Sequence, residues 1–262
     1  MIITDSADAR LADYLDLADP GARRRRERDE IFIAEGLTSV ERLIESGHPI
    51  RSILVTPKKR GRVEPLVANR DITVYVADED VLAATVGFNL HRGVVAAAER
   101  RPLPAVGDVI ARSSRVGVLE GLNDPENLGL IARSARAFGF DALLLDPTCI
   151  DPYYRRTVRV SMGEVLLLAV TRFEAWPDGL AQLHAAGFET WAMTPAADAT
   201  SIWTLAVPGR LAIVLGAEGH GLAASTVAAS SRQVRIPISS DVDSLNVGHA
   251  AAIAFAVAAR PA

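Results

Sequence analysis

Short apolar segments alternate with helical ones throughout the second half of the chain. The apolar segments are β-strand candidates, and helical stretches lie between most of them; in chain order they read VGVLEGL, DALLLDP, TWAMTP, RLAIVLG and VRIPI. Near-continuous apolar strands that alternate with helices predict an α/β fold, with a parallel sheet covered by helices on both faces. Ligands of such sheets bind beyond the carboxyl ends of the strands, so functional residues are expected just after the strands.

A smaller α/β pattern precedes this sheet. Between Ile31 and Arg101 the chain has a helical segment, EGLTSVERLIESG, a short helix from Glu79, and strand candidates RSILVTP, ITVYVAD and HRGVVAAAE. The stretch RRPLPAVGDV then interrupts the pattern with prolines and a glycine. A chain of 262 residues can hold two modest domains. We predict a small α/β domain at residues 1–105 and a larger one at 106–262.

Charge is distributed unevenly along the chain. The net charge of -4 argues against a protein that coats nucleic acid without specificity, because such proteins carry a large basic excess. Two basic clusters, RRRRER from Arg23 and KKRGR from Lys58, nevertheless lie in the first third of the chain. Such runs are often no more than solvated surface. If another part of the chain carries residues for a reaction on nucleic acid, these two clusters become candidate phosphate contacts.

The cysteine content and the apolar runs exclude several classes of protein. Cys149 is the sole cysteine, which excludes an internal disulfide and a cysteine metal cluster, and its thiol is expected to be packed rather than reactive. The start of the chain lacks a basic region followed by an apolar run, and no later segment has about 18 uninterrupted apolar residues. We therefore expect a soluble, cytoplasmic protein with neither a membrane partner nor a metal.

The usual nucleotide-binding and hydrolase motifs are absent. The first strand of the larger domain ends in EGLNDPENLG instead of G-x-G-x-x-G, and the sequence has no phosphate-binding G-x-x-x-x-G-K-[ST], nucleophile elbow or H-E-x-x-H. In the helix that follows, Asn123 or Asp124 can cap the N-terminus, Pro125 suits the first turn and Gly139 can end the helix. Its predicted buried face excludes Arg133 and consists of Leu128, Ile131, Ala135 and Phe138.

Glycines gather late in the chain, in LGAEGHGL, directly after the strand RLAIVLG. Backbone in such a loop can approach a ligand closely, although an ordinary tight turn has the same composition. Pro237 in the next strand, VRIPI, suits a strand end or edge because it cannot donate a ladder hydrogen bond. Ser244 and Asn246 then open a helix, where either could serve merely as its N-cap. Three successive polar or glycine-bearing elements at strand ends favour a ligand site.

Three segments of the larger domain, in chain order, read NDPENLGLIARSARAFG, IVLGAEGHGL and IPISSDVDSLNVGHAAAIA. In order and spacing they resemble the motifs of the SpoU-type (TrmH-like) RNA 2'-O-ribose methyltransferases of the SPOUT superfamily. CIDPYYRRTVRVSMGEV resembles the family's linking segment, and FIAEG and HRGVVA resemble its small substrate-binding domain. Ser134, Glu164 and Ala217 depart mildly from the family pattern without removing an essential group.

The resemblance implies a parallel sheet whose C-terminal part forms a deep trefoil knot, a feature that periodicity alone would never suggest. It also implies a homodimer with active sites at the subunit interface, acting on ribosomal or transfer RNA. S-adenosylmethionine (AdoMet) would lie in the knot. The implied cofactor-binding residues are Thr194, Pro195, Leu215, Gly216, Glu218, Gly219, Ile236, Pro237, Ile238, Ser244 and Leu245.

The resemblance also assigns catalytic positions, whereas the RNA-binding candidates come from local clustering of basic residues. Arg133, which the opposite subunit can supply, faces the ribose hydroxyl, and the other catalytic positions are Asn127, Glu218, Ser244 and Asn246. Because arginine side chains are poor bases at neutral pH, we hypothesise that Arg133 orients the hydroxyl or phosphate and stabilises charge, with general-base duty as a second role. The RNA-binding candidates are Arg23, Arg24, Arg25, Arg26, Lys58, Lys59, Arg60 and Arg159.

Three alternatives stay open at this point. Related knotted proteins methylate base nitrogens of transfer RNA, although the S-L-N of the third motif and the spacing from Asn127 to Arg133 favour ribose chemistry. An RNA-binding protein that has lost catalysis is a second alternative, which the retained polar residues oppose. An unrelated α/β enzyme with a similar glycine loop is the third, and it leaves the order of the three motifs unexplained.

Overall fold

A computed structural model of the chain describes residues 1–28 and 30–259. The chain divides into two compact units, which we call the first unit and the second unit. The first comprises Met1–Pro102 and Tyr153–Leu167, and the second comprises Leu103–Pro152 and Leu168–Ala262. The first change of unit therefore lies close to the predicted boundary at residue 105. The segment Tyr153–Leu167, which the prediction places in the larger domain, groups with the first unit.

The helices and strands are numbered in chain order. The strands are β1 (Ile2–Ile3), β2 (Ile31–Glu35), β3 (Ile50–Val55), β4 (Thr73–Ala77), β5 (Val94–Glu99), β6 (Arg115–Glu120), β7 (Ala142–Leu145), β8 (Ala169–Arg172), β9 (Glu189–Met193), β10 (Thr200–Ser201), β11 (Leu211–Gly216) and β12 (Arg232–Arg235). The α-helices are α1 (Pro20–Arg28), α2 (Leu37–Ser46), α3 (Pro57–Val67), α4 (Glu79–Val86), α5 (Val106–Arg112), α6 (Pro125–Ala137), α7 (Arg155–Val160), α8 (Leu180–Ala185), α9 (Ala224–Ala229) and α10 (Val247–Ala258). Short 3-10 helices lie at Ala9–Tyr14, Glu164–Leu166 and Ile202–Thr204.

The first unit contains a mixed sheet with the strand order β1-β4-β3-β5-β2. β4 pairs in parallel with β1 and β3, whereas β5 is antiparallel to both β3 and β2. Leu11, Tyr14 and Leu54 belong to the apolar cluster beneath it. The predicted helix at α2 and the strands β3, β4 and β5 are confirmed. Helix α3 was not predicted, because Gly61 and Pro65 are poor helix formers and basic residues crowd its start.

The second unit contains the predicted parallel sheet. Its strand order is β10-β12-β9-β11-β6-β7-β8, and every pairing is parallel. The five predicted strands are present, while the short strands β8 and β10 were not predicted. β12 ends at Arg235, before Pro237, so the proline lies just beyond the strand and not inside it. A residue inside a strand needs a backbone N–H to donate a ladder hydrogen bond, and proline has none. The position of Pro237 beyond the strand is therefore the expected one.

Helices α6 and α10 pack against one another, and α10 also packs on β11. Asp124 caps α6 by accepting a hydrogen bond from the backbone N–H of Glu126 at 2.8 Å, and Gly139 takes a φ of 70° just after the helix. Leu128, Ile131 and Ala135 are buried as predicted, and Arg133 is exposed. Phe138 is only half-buried because it is the C-cap residue of α6.

Gly117 of β6 allows close packing between α10 and the sheet. A Cβ atom at Gly117 would lie 2.7 Å from Leu143 Cδ2 and 3.1 Å from Phe255 Cζ, so a larger residue would displace one of these side chains. Phe255 in turn packs on Phe140, with ring centroids 4.1 Å apart. This packing holds α10 over the middle of the sheet and thereby fixes where its N-terminus lies.

The predicted packing of Cys149 is confirmed. Its thiol donates to the backbone oxygen of Leu119 at 3.2 Å and accepts from the N–H of Leu122 at 3.3 Å. Burial raises the pKa of the Cys149 thiol to about 12, which keeps it protonated and unreactive at neutral pH.

Among the residues that the structure describes, no helix is long and apolar enough to cross a membrane.

Candidate cofactor and catalytic site

A cavity of about 630 Å³ lies in the second unit, at the carboxyl ends of β9 and β11. Its lining is mainly apolar with a few polar side chains, which is the usual composition of a small-molecule site. The lining residues are Met193, Thr194, Pro195, Leu215, Gly216, Ala217, Glu218, Gly219, His220, Gly221, Leu222, Val227, Ile236, Ile238, Ser244, Leu245, Asn246, Val247 and Ala250. The cavity therefore lies where a parallel sheet places its ligands.

All the predicted cofactor-binding positions except Pro237 line this cavity. Three segments that are separate in the sequence supply them: the end of β9, the loop after β11, and the stretch between β12 and α10. Pro237 is not among the lining residues, although its neighbours Ile236 and Ile238 are. The structure thus brings the predicted positions together, and their binding of a cofactor stays a prediction.

The loop after β11 depends on glycine at Gly216. A Cβ atom there would lie 2.3 Å from the carbonyl carbon of Gly221 and 2.4 Å from the nitrogen of Leu222, both of them backbone atoms. The turn between them closes through a hydrogen bond of 3.1 Å from the Gly221 N–H to the Ala217 oxygen, with Gly219 at a φ of 91°. Because only glycine allows this close return of the chain, the loop presents its backbone to the cavity.

Glu120, at the end of β6, anchors the chain immediately after this loop. Its side chain is 8% exposed, and its two carboxylate oxygens accept hydrogen bonds from the Ala223 N–H at 2.7 Å and from Trp176 Nε1 at 2.8 Å. Sequence reasoning did not assign Glu120 a role. The available signal was a charged residue that closes the apolar strand VGVLEGL, at the edge of the sheet where ligands bind.

Asn246 joins two other predicted catalytic residues, Asn127 and Glu218, at one edge of the cavity. Its Nδ2 donates to Asn127 Oδ1 at 2.9 Å and to Glu218 Oε1 at 2.5 Å. Its Oδ1 meanwhile accepts from the N–H groups of Gly248 and His249, at 2.9 and 3.3 Å, and so caps α10. The prediction that Asn246 caps the helix is confirmed, and the same amide also links α6 to the glycine loop; its catalytic role stays a prediction. Asn127 is 3% exposed, which fixes this link.

Ser244 and Arg133 lie outside this hydrogen-bonded cluster. Ser244 is exposed and lines the cavity close to Asn246. Arg133 is exposed on α6 and is not among the residues that line the cavity. The structure of one chain thus groups Asn127, Glu218 and Asn246, places Ser244 beside them, and leaves Arg133 apart.

The predicted RNA-binding residues all belong to the first unit. Arg24 and Arg25 are exposed on α1, and the side chain of Arg23 lies outside the described residues. Lys58 and Arg60 on α3 form exposed ion pairs with Glu79 and Glu64, at 2.8 and 2.6 Å; Lys59 is half-buried. Arg159 Nη1 lies 3.9 Å from the buried carboxylate of Glu35. These pairs reduce the net positive charge of the KKRGR cluster.

The residues that line the cavity of the second unit suit a ligand with an apolar ring and a charged end. Leu215, Ile236 and Leu245 offer apolar surface, and the peptide groups of the glycine loop offer hydrogen bonds. Glu218 supplies a carboxylate at the same cavity, which favours a cationic group nearby. The adenine and the sulfonium of AdoMet match these features, so the residues present fit that cofactor.

Two protein-family models match the chain. The SpoU rRNA Methylase family matches residues 115–256, and the MRM3-like substrate binding domain matches residues 19–87. The parallel sheet, the cavity and the polar cluster together with these matches define an RNA methyltransferase. The chain belongs to the SpoU rRNA methylase family. The family resemblance stated from the sequence motifs is confirmed.

Individual relatives agree with this membership. An uncharacterized tRNA/rRNA methyltransferase of Mycobacterium tuberculosis is 41% identical, over 97% of this chain and 89% of its own length. The 23S rRNA (guanosine(2553)-2'-O)-methyltransferase RlmP of Bacillus subtilis is 26% identical, over 88% and 89%. Among solved structures, the AdoMet-bound rRNA methyltransferase from Sinorhizobium meliloti superposes with a TM-score of 0.83 at 25% identity, covering 98% of this chain and 97% of that one.

Proposed function

We propose that this protein transfers the methyl group of AdoMet to a ribose 2'-hydroxyl of ribosomal RNA. The observation that carries the proposal is the cluster of Asn127, Glu218 and Asn246 at the edge of the cavity behind the glycine loop. The cluster combines the three family motifs at one place, and no single motif would form it alone. Relatives named as rRNA 2'-O-methyltransferases support the same reaction class.

Positioning is the main task of the protein in this reaction. AdoMet supplies an electrophilic methyl group, and displacement at that carbon requires the attacking oxygen to be in line with the bond that breaks. The glycine loop and the apolar lining would hold the cofactor, and the cluster would define the edge of the site that the ribose approaches. Asn246 donates to Glu218 and holds its carboxylate in place. Ser244 is exposed beside Asn246, where it can contact either reactant.

Arg133 would orient the ribose hydroxyl or the adjacent phosphate. The guanidinium of an arginine carries a rigid fork of donors suited to phosphate oxygens. Charge that develops on the hydroxyl oxygen would be stabilised by the same group.

We further propose a homodimer in which Arg133 serves the site of the partner subunit. Its exposure on α6, apart from the cavity lining of its own chain, supports this arrangement. Leu130, one turn earlier on α6, is 38% exposed and would pack in such an interface. The site would then be complete only in the dimer.

The second unit is also proposed to contain the trefoil knot of the family. The proposal is supported by the cavity lining, to which the stretch between β12 and α10 and the glycine loop both contribute. Asn246 at the end of this path bonds to Asn127, 119 positions earlier in the chain. A knotted path would bring together the three segments that line the cavity.

Ribosomal RNA is the proposed substrate because the names of the matching family model and of several relatives include ribosomal RNA. The first unit would bind the RNA, in agreement with its match to a substrate-binding domain and with the exposed Arg24 and Arg25. Since ribosomal RNA is the substrate proposed, we also propose that the protein acts in the cytoplasm.

Methyl transfer from labelled AdoMet to purified RNA fractions tests the proposed function. The experiment offers the protein the large ribosomal RNA, the small ribosomal RNA and transfer RNA, each from cells that lack the enzyme. We expect label in one ribosomal RNA and none in transfer RNA. Calorimetric titration with AdoMet in the absence of RNA provides the control for cofactor binding.

Two outcomes would contradict the proposal. Label in transfer RNA alone would move the substrate to another RNA class. A protein that binds AdoMet but labels no RNA in any fraction would support the alternative in which catalysis has been lost.

A further inference from the structure

One end of the sheet in the first unit contains two glycines. Gly36 follows β2, Gly93 precedes β5 and Thr56 follows β3, so the three positions lie side by side at one edge of the sheet. The Gly36 N–H donates to the Val94 oxygen at 2.8 Å, and the Thr56 N–H donates to the Gly93 oxygen at 3.0 Å. Gly36 has a φ of 93° and Gly93 a φ of 63°, which favour glycine at both positions. This edge therefore presents backbone where a larger residue would present a side chain.

Two cationic side chains pack on these glycines. A Cβ atom at Gly36 would lie 2.9 Å from Arg92 Cδ and 3.1 Å from Arg92 Nη1. A Cβ atom at Gly93 would lie 3.4 Å from Lys59 Cγ. Arg92 is exposed and Lys59 is half-buried. Because the stems of both side chains lie against backbone, the two cations are held at the same edge of the sheet.

Arg62 extends this pair to three cations. It lies three positions after Lys59 on α3, and residues at that spacing are neighbours on the surface of a helix. Arg62 is exposed. We call Lys59, Arg62 and Arg92 the basic row.

The charges of the basic row are not compensated within the part of the chain that the structure describes. None of its three members forms an ion pair or a side-chain hydrogen bond with another described residue. The neighbouring cations of α3 differ in this respect, because Lys58 pairs with Glu79 and Arg60 pairs with Glu64. The free positive charge at this end of α3 therefore belongs to the basic row.

The acidic residues at the same edge are separated from the basic row or already paired. Residues 78–80, which read DED, follow β4, and β4 pairs with β3 on the side away from β5. Glu35, at the end of β2, is 4% exposed and forms an ion pair with Arg155. The carboxylate nearest to Gly36 in the sequence is thus engaged elsewhere and leaves the charge of Arg92 uncompensated.

A row of free cations along a backbone surface suits the phosphates of an RNA chain. Basic side chains that neutralise successive phosphates release counterions, and this release drives much of the binding. The net charge of the whole chain is -4, so a local surface of this kind, and not the protein as a whole, attracts an anionic polymer. Two members of the row, Lys59 and Arg62, also lie within the match to a substrate-binding domain at residues 19–87.

We propose that the basic row is the surface on which the first unit holds phosphates of the RNA substrate. This inference rests on the proposed function and deepens it, because it assigns RNA binding to three particular side chains. Arg92 lies outside both basic clusters of the sequence, and only the fold brings it to the same edge as Lys59. Lys58 and Arg60 contribute less, since each already has an acidic partner.

Removal of the three charges tests the proposal. The neutral variant combines Lys59→Met, Arg62→Gln and Arg92→Gln, and its binding to a fluorescent RNA hairpin is measured over a series of salt concentrations. We expect the slope of log affinity against log salt to fall by about 2 to 3, because each lost phosphate contact removes about 0.7 to 0.9. The KM for ribosomal RNA should rise, while kcat at saturating RNA and the affinity for AdoMet stay unchanged.

Two further variants separate charge from shape. The charge-conserving variant combines Lys59→Arg, Arg62→Lys and Arg92→Lys, and it should keep the salt slope of the unaltered protein. Arg112→Gln removes one exposed charge at the end of α5 in the second unit and should leave RNA affinity unchanged. The melting temperature and the AdoMet affinity of each variant establish that it is folded. If the neutral variant does not fold, Arg92→Gln alone should lower the slope by about 0.7 to 0.9.

Several results would overturn the proposal. The neutral variant, or Arg92→Gln in its place, could bind the hairpin with the affinity and the salt slope of the unaltered protein. The charge-conserving variant could lose as much of the slope as the neutral one, so that shape and not charge would decide binding. Methyl transfer to ribosomal RNA by the unaltered protein is measured in parallel. Label in RNA together with unchanged binding by the neutral variant would refute the basic row alone, whereas no label in any RNA would refute the proposed function.

Discussion

Asn246 uses the two ends of its side-chain amide for different purposes. Two backbone N–H groups face Oδ1, and two side-chain oxygens face Nδ2. Only this orientation satisfies every neighbour, because the reverse would place N–H groups against one another. One residue therefore couples the start of α10 to Asn127 and Glu218. A substitution that changes only one end of the amide can therefore test the helix cap and the link to Glu218 separately.

The variants Asn246→Asp and Asn246→Ala test these two roles of Asn246. The aspartate variant keeps an oxygen that caps α10 but loses the donor to Glu218 and adds a second carboxylate beside it. We expect it to keep the helix cap, to lose some stability because its carboxylate faces Glu218 and the buried oxygen of Asn127, and to lose methyl transfer by about 10- to 150-fold, the range for a hydrogen bond to a charged group. The alanine variant should lose the activity and also about 1 kcal/mol of stability from the missing cap. Equal activity of the aspartate variant and the unaltered protein would refute the catalytic role.

Glu120 is the second residue whose role can be isolated. Its carboxylate holds Ala223, next to the glycine loop, and Trp176. Glu120→Gln replaces one acceptor with an N–H group that faces another N–H, so we expect about 1–3 kcal/mol of lost stability. The KM for AdoMet should rise about tenfold or more while kcat at saturating AdoMet changes little, because the residue positions the loop and touches no reactant.

Glu174→Gln is the control for this prediction. Glu174 is exposed in the same unit and lies outside the cavity lining. The positioning role would be wrong if Glu120→Gln lowered kcat and left the KM for AdoMet unchanged.

At the scale of the element, the turn after β11 determines the shape of the cofactor cavity. Gly216→Ala would place a Cβ atom within 2.5 Å of three backbone atoms, which cannot rotate away as a side chain can. We expect the turn to open, with about 1–3 kcal/mol of lost stability and a weaker AdoMet complex in calorimetric titration. Gly107→Ala on α5 is the matched control, since nothing lies within 4 Å of its Cβ position. It should leave both quantities unchanged or raise stability slightly.

Helices and strands were predictable where the local sequence pattern determines them. The apolar strands of the second unit, the helix with Asp124 and Pro125 at its start, and the glycine loop after β11 follow from spacing and composition. Helix α3 was missed because Gly61 and Pro65 argue against a helix locally, although Val63 and Val67 are buried against the unit's core. Strands β8 and β10 are too short to give a periodic signal.

Contacts between distant segments could not be predicted from spacing. Glu120 meets Ala223 across 103 positions, and Asn246 meets Asn127 across 119. Family motifs indicated the second contact because each motif is specific, whereas no motif indicated the first. The return of Tyr153–Leu167 to the first unit was likewise invisible, since its local sequence carries no sign of the sheet on which it packs.

At the scale of the whole molecule, the proposed dimer predicts complementation between inactive variants. Arg133→Ala and Asn246→Asp each remove a different part of the site and should each lose most of the activity. If Arg133 acts on the partner's site, a mixed dimer of the two variants contains one intact site. Co-expression in equal amounts should therefore restore about a quarter of the normal activity, as random pairing of subunits requires.

Two results would contradict this arrangement. No recovery, in mixed dimers that mass spectrometry shows to have formed, would place Arg133 in the site of its own chain. Near-normal turnover by Arg133→Ala alone at saturating RNA would remove Arg133 from the mechanism.

The position of the transferred methyl group tests the central claim most directly. RNA methylated by the protein with labelled AdoMet is digested to nucleosides and separated by chromatography with mass detection. In parallel, the modified site is mapped by alkaline hydrolysis, which a 2'-O-methyl group blocks at the adjacent phosphodiester. We predict that the label resides in a 2'-O-methylnucleoside and that one hydrolysis band is lost. Label in a nucleoside methylated on its base, with the hydrolysis ladder complete, would contradict the account.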